Sequence, residues 1–302
     1  MTKANPKIIV ILGPTSSGKS DLAIKVAKKF NGEIISADSR QIYRGMNLGT
    51  GKVTKAEQKM ARHWMLDIVN PKTDYSVAKY KKVAENAIEN ILRRNKLPIL
   101  CGGTGFWIKT LVDDVNFPEV KPNQELRRKL EVLSADTLYK KLLKLDPVRA
   151  KNIDAKNKVR LIRAIEICKE LGKVPEIIHQ SSVTSSRYNF LQIGIDLPKE
   201  KLHQNIEKRL NARFKKGMIK EVENLHFKTG VSWKRLEMFG LEYRYISQFL
   251  QKKITMQEMK NKLLQESKDY AKRQMTWFKK DQRILWLKNY SKIEKVIQKF
   301  LH

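Results

Sequence analysis

The stretch Ile8-Ile9-Val10-Ile11-Leu12-Gly13-Pro14-Thr15-Ser16-Ser17-Gly18-Lys19-Ser20-Asp21-Leu22 runs from five apolar residues through a glycine-flanked turn into a helical pattern. The apolar run predicts a buried strand, and Asp21 to Ala27 predicts the helix that follows it. Gly13 and Gly18 let the turn curl until its N–H groups point inward, and the helix start adds the positive end of its dipole. Gly13, Pro14, Thr15, Ser16, Ser17, Gly18, Lys19 and Ser20 thus form a phosphate cradle of the nucleotide-binding type. In it Lys19 reaches the phosphate charge and the Ser20 hydroxyl is placed to ligate Mg²⁺. A phosphorylated ligand follows from this stretch; which one does not.

Further along, Asn31-Gly32 marks a turn and Glu33 to Ala37 a second strand, ending at Asp38. In an open α/β sheet the functional groups gather at the carboxyl ends of the strands, which places Asp38, Ser39, Arg40 and Gln41 near the cradle. Asp38 has two readings from position alone: a helix cap or ligand of a Mg²⁺ water, and a general base facing a second substrate. The segment Tyr43 to Lys52 carries three glycines and two cations, Arg44 and Lys52, without apolar periodicity, and reads as a mobile loop built to meet a ligand. His63 to Ile68 reads as a short strand in which His63 and Trp64 pack rather than react. Ser76 to Arg94 carries a helical stripe, and Leu97 to Cys101 is another buried strand running into Gly102-Gly103-Thr104-Gly105. Thr104 would be a hydroxyl aimed at the same crevice.

From Phe117-Pro118 to about Arg187 the alternation of strand and helix stops, and leucine-rich helix patterns dominate. Arg160 and Arg163 stand at i and i+3, a spacing that suits adjacent phosphates or simply a solvated face. Asn189 to Asp196 reads as a strand returning to the sheet, followed by one long helix from Leu202 to Leu225 bearing Arg209 and Arg213.

The chain has 302 residues, with 62 Lys and Arg against 31 Asp and Glu, a formal net charge of +31. Residues 201–302 hold 25 of those cations against 10 acids. Such an excess works against compactness and points to a large polyanion as partner, unless a Lys-rich composition merely decorates solvated faces. Lys272-Arg273-Gln274-Met275-Thr276-Trp277-Phe278-Lys279-Lys280 interleaves cations with aromatics, as a surface that neutralises phosphates and stacks bases requires, although Trp277 and Phe278 suit core anchors of the helix at least as well. Cys101 and Cys168 are the only cysteines and suggest buried reduced thiols; the five histidines, His179 among them, show no metal-ligand spacing. No apolar run approaches a membrane span and no leader is evident, so the sequence predicts a cytoplasmic chain.

These segments, in this order, make the chain resemble the tRNA dimethylallyltransferase (tRNA isopentenyltransferase) family nearly end to end. The resemblance rests on Gly13 to Ser20, Ser36 to Tyr43 with Gly45-Met46 and Gly49-Thr50, Leu66 to Pro71, Gly102-Gly103-Thr104, Arg160 to Glu166, and Ala271 to Phe278. It implies transfer of a dimethylallyl group from dimethylallyl diphosphate to N6 of the adenosine beside the anticodon, adenosine 37, with Mg²⁺ as cofactor. The implied catalytic residues are Asp38 as base, with Thr15, Thr104 and Arg209 helping the leaving oxygen. The implied tRNA contacts are Asp38 to Gln41, Val159, Arg160, Leu161, Ile162, Arg163, Arg235, Arg244, Lys272, Arg273, Gln274, Trp277 and Lys279. Asn205 stands where many relatives have an arginine. The two other readings are a phosphoryl-transferring kinase of a small metabolite, which the size of the charge excess disfavours, and a non-catalytic RNA-binding switch, which leaves Asp38 and Thr104 without work.

The expected architecture is an α/β fold with a P-loop NTPase-like parallel sheet core, formed by residues 1–117 and 188–302. A helical insertion domain, 118–187, would contact the anticodon stem-loop of the tRNA. Nothing in the sequence calls for a membrane, an obligate protein partner or more than a monomer.

Overall fold

A computed structural model describes residues 5–175 and 187–302. His179 and the expected edge of the insert, 176–186, lie outside the described residues. The first part of the chain gives β1 (Lys7–Leu12), α1 (Lys19–Lys29), β2 (Gly32–Ser36), α2 (Lys55–Met60), β3 (His63–Trp64), α3 (Val77–Arg93), β4 (Leu97–Gly102) and α4 (Gly105–Val112). Four helices follow: α5 (Gln124–Glu131), α6 (Ala135–Leu145), α7 (Pro147–Lys151) and α8 (Lys158–Leu171). The remainder supplies β5 (Asn189–Ile195), α9 (Lys199–Lys215), α10 (Met218–Phe227), α11 (Trp233–Phe239), α12 (Leu241–Leu250), α13 (Met256–Phe278), β6 (Leu285–Leu287) and α14 (Tyr290–Leu301).

The six strands form one sheet in the order β3-β2-β4-β1-β5-β6, and every pairing is parallel. A parallel sheet is covered on both faces, so its central strands are apolar throughout rather than alternating. In β1, Ile8, Val10 and Leu12 enter one core cluster while Ile9 and Ile11 enter the other. That is why the opening run of five apolar residues is continuous. The fold is the P-loop-like α/β class, with the cradle leaving the centre of the sheet between β1 and α1.

The chain divides into two compact units, Met1–Asp114 with Ser181–His302, and Val115–Gln180. Among its described residues the regular elements of the smaller unit are all helices, and it has its own core of Leu130, Leu138, Leu142, Leu161, Ile165 and neighbours. Its helices start on polar caps: Asn123, Ser134, Asp146 and Asn157 each accept a hydrogen bond from a backbone N–H of the first turn. Gly172, at φ 80°, ends α8.

Several expectations are corrected. The segment 63–68 is a strand for only two residues, because Met65 (φ 66°) and Asp67 (φ 56°) take left-handed conformations that leave the ladder. The long helix expected from Leu202 to Leu225 is two helices, broken where Gly217 adopts φ 92°. The loop read as mobile, Tyr43 to Lys52, is firmly held: Tyr43, Met46 and Lys52 are buried, and Lys52 Nζ bonds both Tyr43 O at 2.8 Å and Asp67 Oδ1 at 2.5 Å. Its glycines serve close approach, since a Cβ on Gly49 would overlap the Tyr243 ring. Among the described residues no helix is long and apolar enough to cross a membrane.

Candidate active site

The cradle begins at Gly13 (φ 152°), passes Ser16 (φ 62°) and reaches Gly18 (φ 87°), which caps α1. Gly18 in this left-handed state costs nothing sterically, whereas a side chain there would be strained. Lys19 Nζ donates to Pro14 O at 3.1 Å, folding back over the loop. Desolvation pushes its pKa down, opposed by Cys101 and Asp38 and reinforced by Arg209. Lys19 and Arg209 are thus two desolvated cations that disfavour each other, an arrangement that a bound polyanion relieves.

The floor of the cradle is fixed from the far end of the chain. Gln274, on α13, is 6% exposed; its Oε1 accepts from Thr15 N at 2.8 Å and its Nε2 donates to Gly103 O at 2.8 Å. One amide thus ties the loop after β1 to the loop after β4. This corrects the reading of Gln274 as a tRNA contact, because both ends of its side chain are spent inside the protein. Asn205 also reaches the cradle, donating through Nδ2 to Ser16 O at 3.3 Å.

Asp38 follows β2. Its Oδ1 accepts from Arg40 N at 2.8 Å and Gln41 N at 3.3 Å, so the carboxylate caps its own turn. Oδ2 has no hydrogen-bond partner among the described residues. The cap and general-base readings are thus compatible: one oxygen orients the group while the other stays available. Thr104 Oγ1 accepts from Ser39 N at 3.1 Å, which brings the ends of β2 and β4 together. A common cavity is lined by Lys19, Ser20, Ser36, Asp38, Gln41, His63 and Cys101. Cys101 is buried and desolvation raises its thiol pKa to about 12, so it is an inert lining group. The His63 ring sits with Nδ1 on Ala61 O at 2.8 Å, and burial lowers its pKa.

Arg209, on α9, donates through Nη2 to Gly51 O at 2.8 Å, and Gln41 Nε2 approaches the same carbonyl at 3.4 Å. Burial lowers the Arg209 pKa, with Arg213 adding to the effect and Glu242 and Asp38 opposing it. Its remaining donors have no partner among the described residues.

The oxygen-rich lining from Ser20, Ser36, Asp38 and Gln41 suits a hard cation such as Mg²⁺, which binds one or two protein oxygens and takes the rest from phosphates and water. Among the described residues no group of three His, Cys, Asp or Glu could hold a metal by itself, so the donor set fits an ion that arrives with a phosphate ligand.

The cationic face lies along α13. Lys272, Arg273, Thr276, Trp277 and Lys280 line an open groove with Asp269, and Lys279 is exposed at the helix end. Trp277 is 41% exposed and its indole lies where a Cβ on Gly105 would go. Arg235 is spent on the Pro71–Asp74 turn, donating to Pro71 O at 3.0 Å, Thr73 O at 2.7 Å and Asp74 Oδ1 at 2.5 Å. Arg244 is exposed, with Nε on Glu237 O at 3.3 Å. Arg40 lies over the Phe239 ring at 5.6 Å.

Within the smaller unit, Val159 is 79% exposed and Arg160 is exposed, whereas Leu161 and Ile162 are core residues. The side chains of Leu161 and Ile162 cannot reach a nucleic acid, which corrects their assignment; helical periodicity turns the two inward. Arg163 donates to Glu166 Oε2 at 3.2 Å and Val120 O at 2.8 Å. The Arg160–Arg163 pair is consequently split into one exposed cation and one structural one.

The sequence reading missed Gln274 as the tie between strand ends, and it missed Glu221 and Arg213 as holders of the loop 47–51. No local pattern could reveal them, since their partners lie more than a hundred positions away in the chain.

A family model described as IPP transferase matches residues 41–281. The chain is 40% identical over 299 residues to the tRNA dimethylallyltransferase of Acetivibrio thermocellus, covering 96% of this chain and 95% of that one. It is 38% identical to that of Halothermothrix orenii, covering 98% and 94%. Among solved structures, the tRNA isopentenylpyrophosphate transferase of Bacillus halodurans superposes with a TM-score of 0.72 at 32% identity, covering 98% of this chain and 95% of that one. A eukaryotic dimethylallyltransferase acting on tRNA gives 0.77 at 28% identity, covering 90% and 69%. With a match of this extent in both sequence and fold, the chain belongs to the IPP transferase family.

Proposed function

We propose that this chain transfers a dimethylallyl group from dimethylallyl diphosphate to a tRNA, at N6 of the adenosine next to the anticodon, adenosine 37, releasing pyrophosphate. The observation that carries the reading is the meeting of Lys19, Ser20 and Asp38 in one cavity at the carboxyl ends of β1, β2 and β4, with Arg209 anchored on the Gly51 carbonyl that the cavity residue Gln41 also approaches. A phosphate-holding centre with a half-free carboxylate beside it can release a diphosphate on one side and take up a proton on the other.

In the reaction, the N6 amine attacks the allylic carbon, the carbon–oxygen bond breaks, and its electron pair leaves on pyrophosphate. An adenine amine is a weak nucleophile, so the proton it loses needs a base within hydrogen-bond reach, and Asp38 Oδ2 takes it. Lys19, Arg209 and the cradle N–H groups stabilise the charge that grows on the leaving oxygen. Thr15 in the cradle and Thr104 after β4 would help the leaving oxygen, and the Thr104 hydroxyl can still donate while accepting from Ser39 N. Mg²⁺ would be held by Ser20 together with diphosphate oxygens, and when bound it supplies further neutralisation of the leaving group. The target base leaves its stack to reach this crevice. Lys272, Arg273, Lys279 and the exposed Trp277 supply phosphate contacts and a stacking face, so tRNA binding should weaken steeply with added salt.

The test is a transfer assay with purified protein, Mg²⁺, unmodified tRNA and labelled dimethylallyl diphosphate, beside Asp38→Ala and a parallel measurement of ATP consumption. Label enters tRNA with the wild type, and Asp38→Ala loses about 10²–10⁴-fold in rate. ATP consumption with a small acceptor and no label in tRNA would replace this reading with the kinase one.

A further inference from the structure

The segment Asn47–Gly51 is held by a clamp built from α9, α10 and α12. The Glu221 carboxylate, on α10, collects three consecutive backbone N–H groups: Asn47 at 2.9 Å and Leu48 at 2.7 Å on Oε2, Gly49 at 2.9 Å on Oε1. The Tyr243 hydroxyl donates to Oε1 at 2.8 Å. From the opposite side Arg213 donates to Leu48 O at 3.1 Å and Gly49 O at 3.0 Å, and is itself held by Glu242 at 2.8 Å. Both the donors and the acceptors of this turn are therefore fixed by side chains.

What emerges from the clamp is the Gly51 carbonyl, which accepts from Arg209 and, at longer range, from Gln41. Gly51 has φ 59°, and a Cβ there would overlap the Arg209 guanidinium, so the approach is as close as a glycine permits. A guanidinium has five donors in a rigid fork, and one anchored to a fixed carbonyl leaves the others aimed in set directions. A staple serving only loop stability would not need its exit carbonyl to hold a cation beside the cradle.

We propose that Glu221, supported by Tyr243, is a positioning residue for diphosphate binding: by fixing Asn47–Gly51 it sets the Gly51 carbonyl that holds Arg209, one helical turn beyond the Asn205 that bonds the cradle at Ser16 O. This rests on the reading of the cradle as a diphosphate site and adds the residues that pre-organise it.

The test is binding of inorganic pyrophosphate with Mg²⁺, measured by calorimetry on the full chain without turnover, in wild type, Glu221→Gln, Arg209→Ala and the double variant. Glu221→Gln weakens pyrophosphate binding about tenfold, as expected for coupled neighbours, and costs less than about twofold when Arg209 is already alanine. In the transfer assay Glu221→Gln raises KM for dimethylallyl diphosphate while KM for tRNA stays within about twofold. Tyr243→Phe, a milder change that keeps the ring against Gly49, shifts the same quantities in the same direction by about threefold and carries the test should Glu221→Gln fail to fold. Equal losses with and without Arg209, or unchanged pyrophosphate affinity in both variants, would overturn the inference. A wild type that binds pyrophosphate with this coupling yet transfers no prenyl group would fault the reaction and leave the clamp intact; one that ignores pyrophosphate removes both.

Discussion

Replacing Gln274 by leucine tests the most specific feature of the site, the single amide joining the phosphate cradle to the end of β4. Leucine has a similar volume, so the change removes polarity rather than packing. It leaves the buried Gly103 carbonyl and the partly buried Thr15 N–H without their 2.8 Å partners. An orphaned buried polar group costs about 1–3 kcal/mol, and with one of the two partly solvated the loss in stability comes to about 2–4 kcal/mol. For a chain of this size that lowers Tm by about 3–6 °C. Because the Thr15 N–H belongs to the cradle itself, KM for dimethylallyl diphosphate should rise with kcat falling, while tRNA affinity at low salt stays near that of the wild type. Gly103→Ala should reproduce the pattern, since its added Cβ would displace the Gln274 amide. The measurements are thermal unfolding and steady-state transfer with each substrate varied in turn. A Gln274→Leu protein with wild-type Tm, or one whose defect appears only in tRNA binding, would refute the reasoning and restore Gln274 to the RNA surface.

Three further outcomes follow from individual charged residues. Glu33 is 1% exposed and bonded by Arg94 at both oxygens, by Trp64 Nε1 and by Lys96, and these donors hold its pKa at about 2 against an ordinary 4.5. A depressed carboxyl contributes stability that is fully present above pH 4.5 and is lost as pH falls through about 2, here about 3 kcal/mol. Urea unfolding between pH 7 and 2.5 should therefore show a steeper acid loss in the wild type than in Glu33→Gln, and parallel curves would count against the network. In the smaller unit, Arg160→Ala should weaken tRNA binding and reduce the salt slope by about one with no effect on folding. Arg163→Ala should instead lower stability by about 1–3 kcal/mol, because Glu166 is buried and loses a donor; salt-dependent binding and chemical unfolding separate the two.

The sequence by itself determined the cradle, the parallel α/β core and the helical character of 118–175, and for a common reason: each is written in local spacing. A continuous apolar run, glycines on either side of a turn and a helical stripe are consequences of backbone geometry over a few residues, so Gly13 to Ser20 and the strands at Glu33, Leu97 and Asn189 are legible without knowing what they touch. Asp38 and Thr104 were legible as residues that the fold brings together, beside Ser39, because strand ends in such a sheet converge. The tertiary structure decided how the remaining side chains are used. Gln274, Glu221 and Arg213 meet their partners 171, 172 and 165 positions away, and hydrogen bonds at that separation leave no periodicity behind. The same holds for Arg163, whose sequence spacing from Arg160 promised a phosphate grip but whose helix face turned it towards Glu166. The loop Tyr43–Lys52 looked free because it has no apolar pattern. Its rigidity comes from a carboxylate and a guanidinium on distant helices, which only the folded chain brings to it.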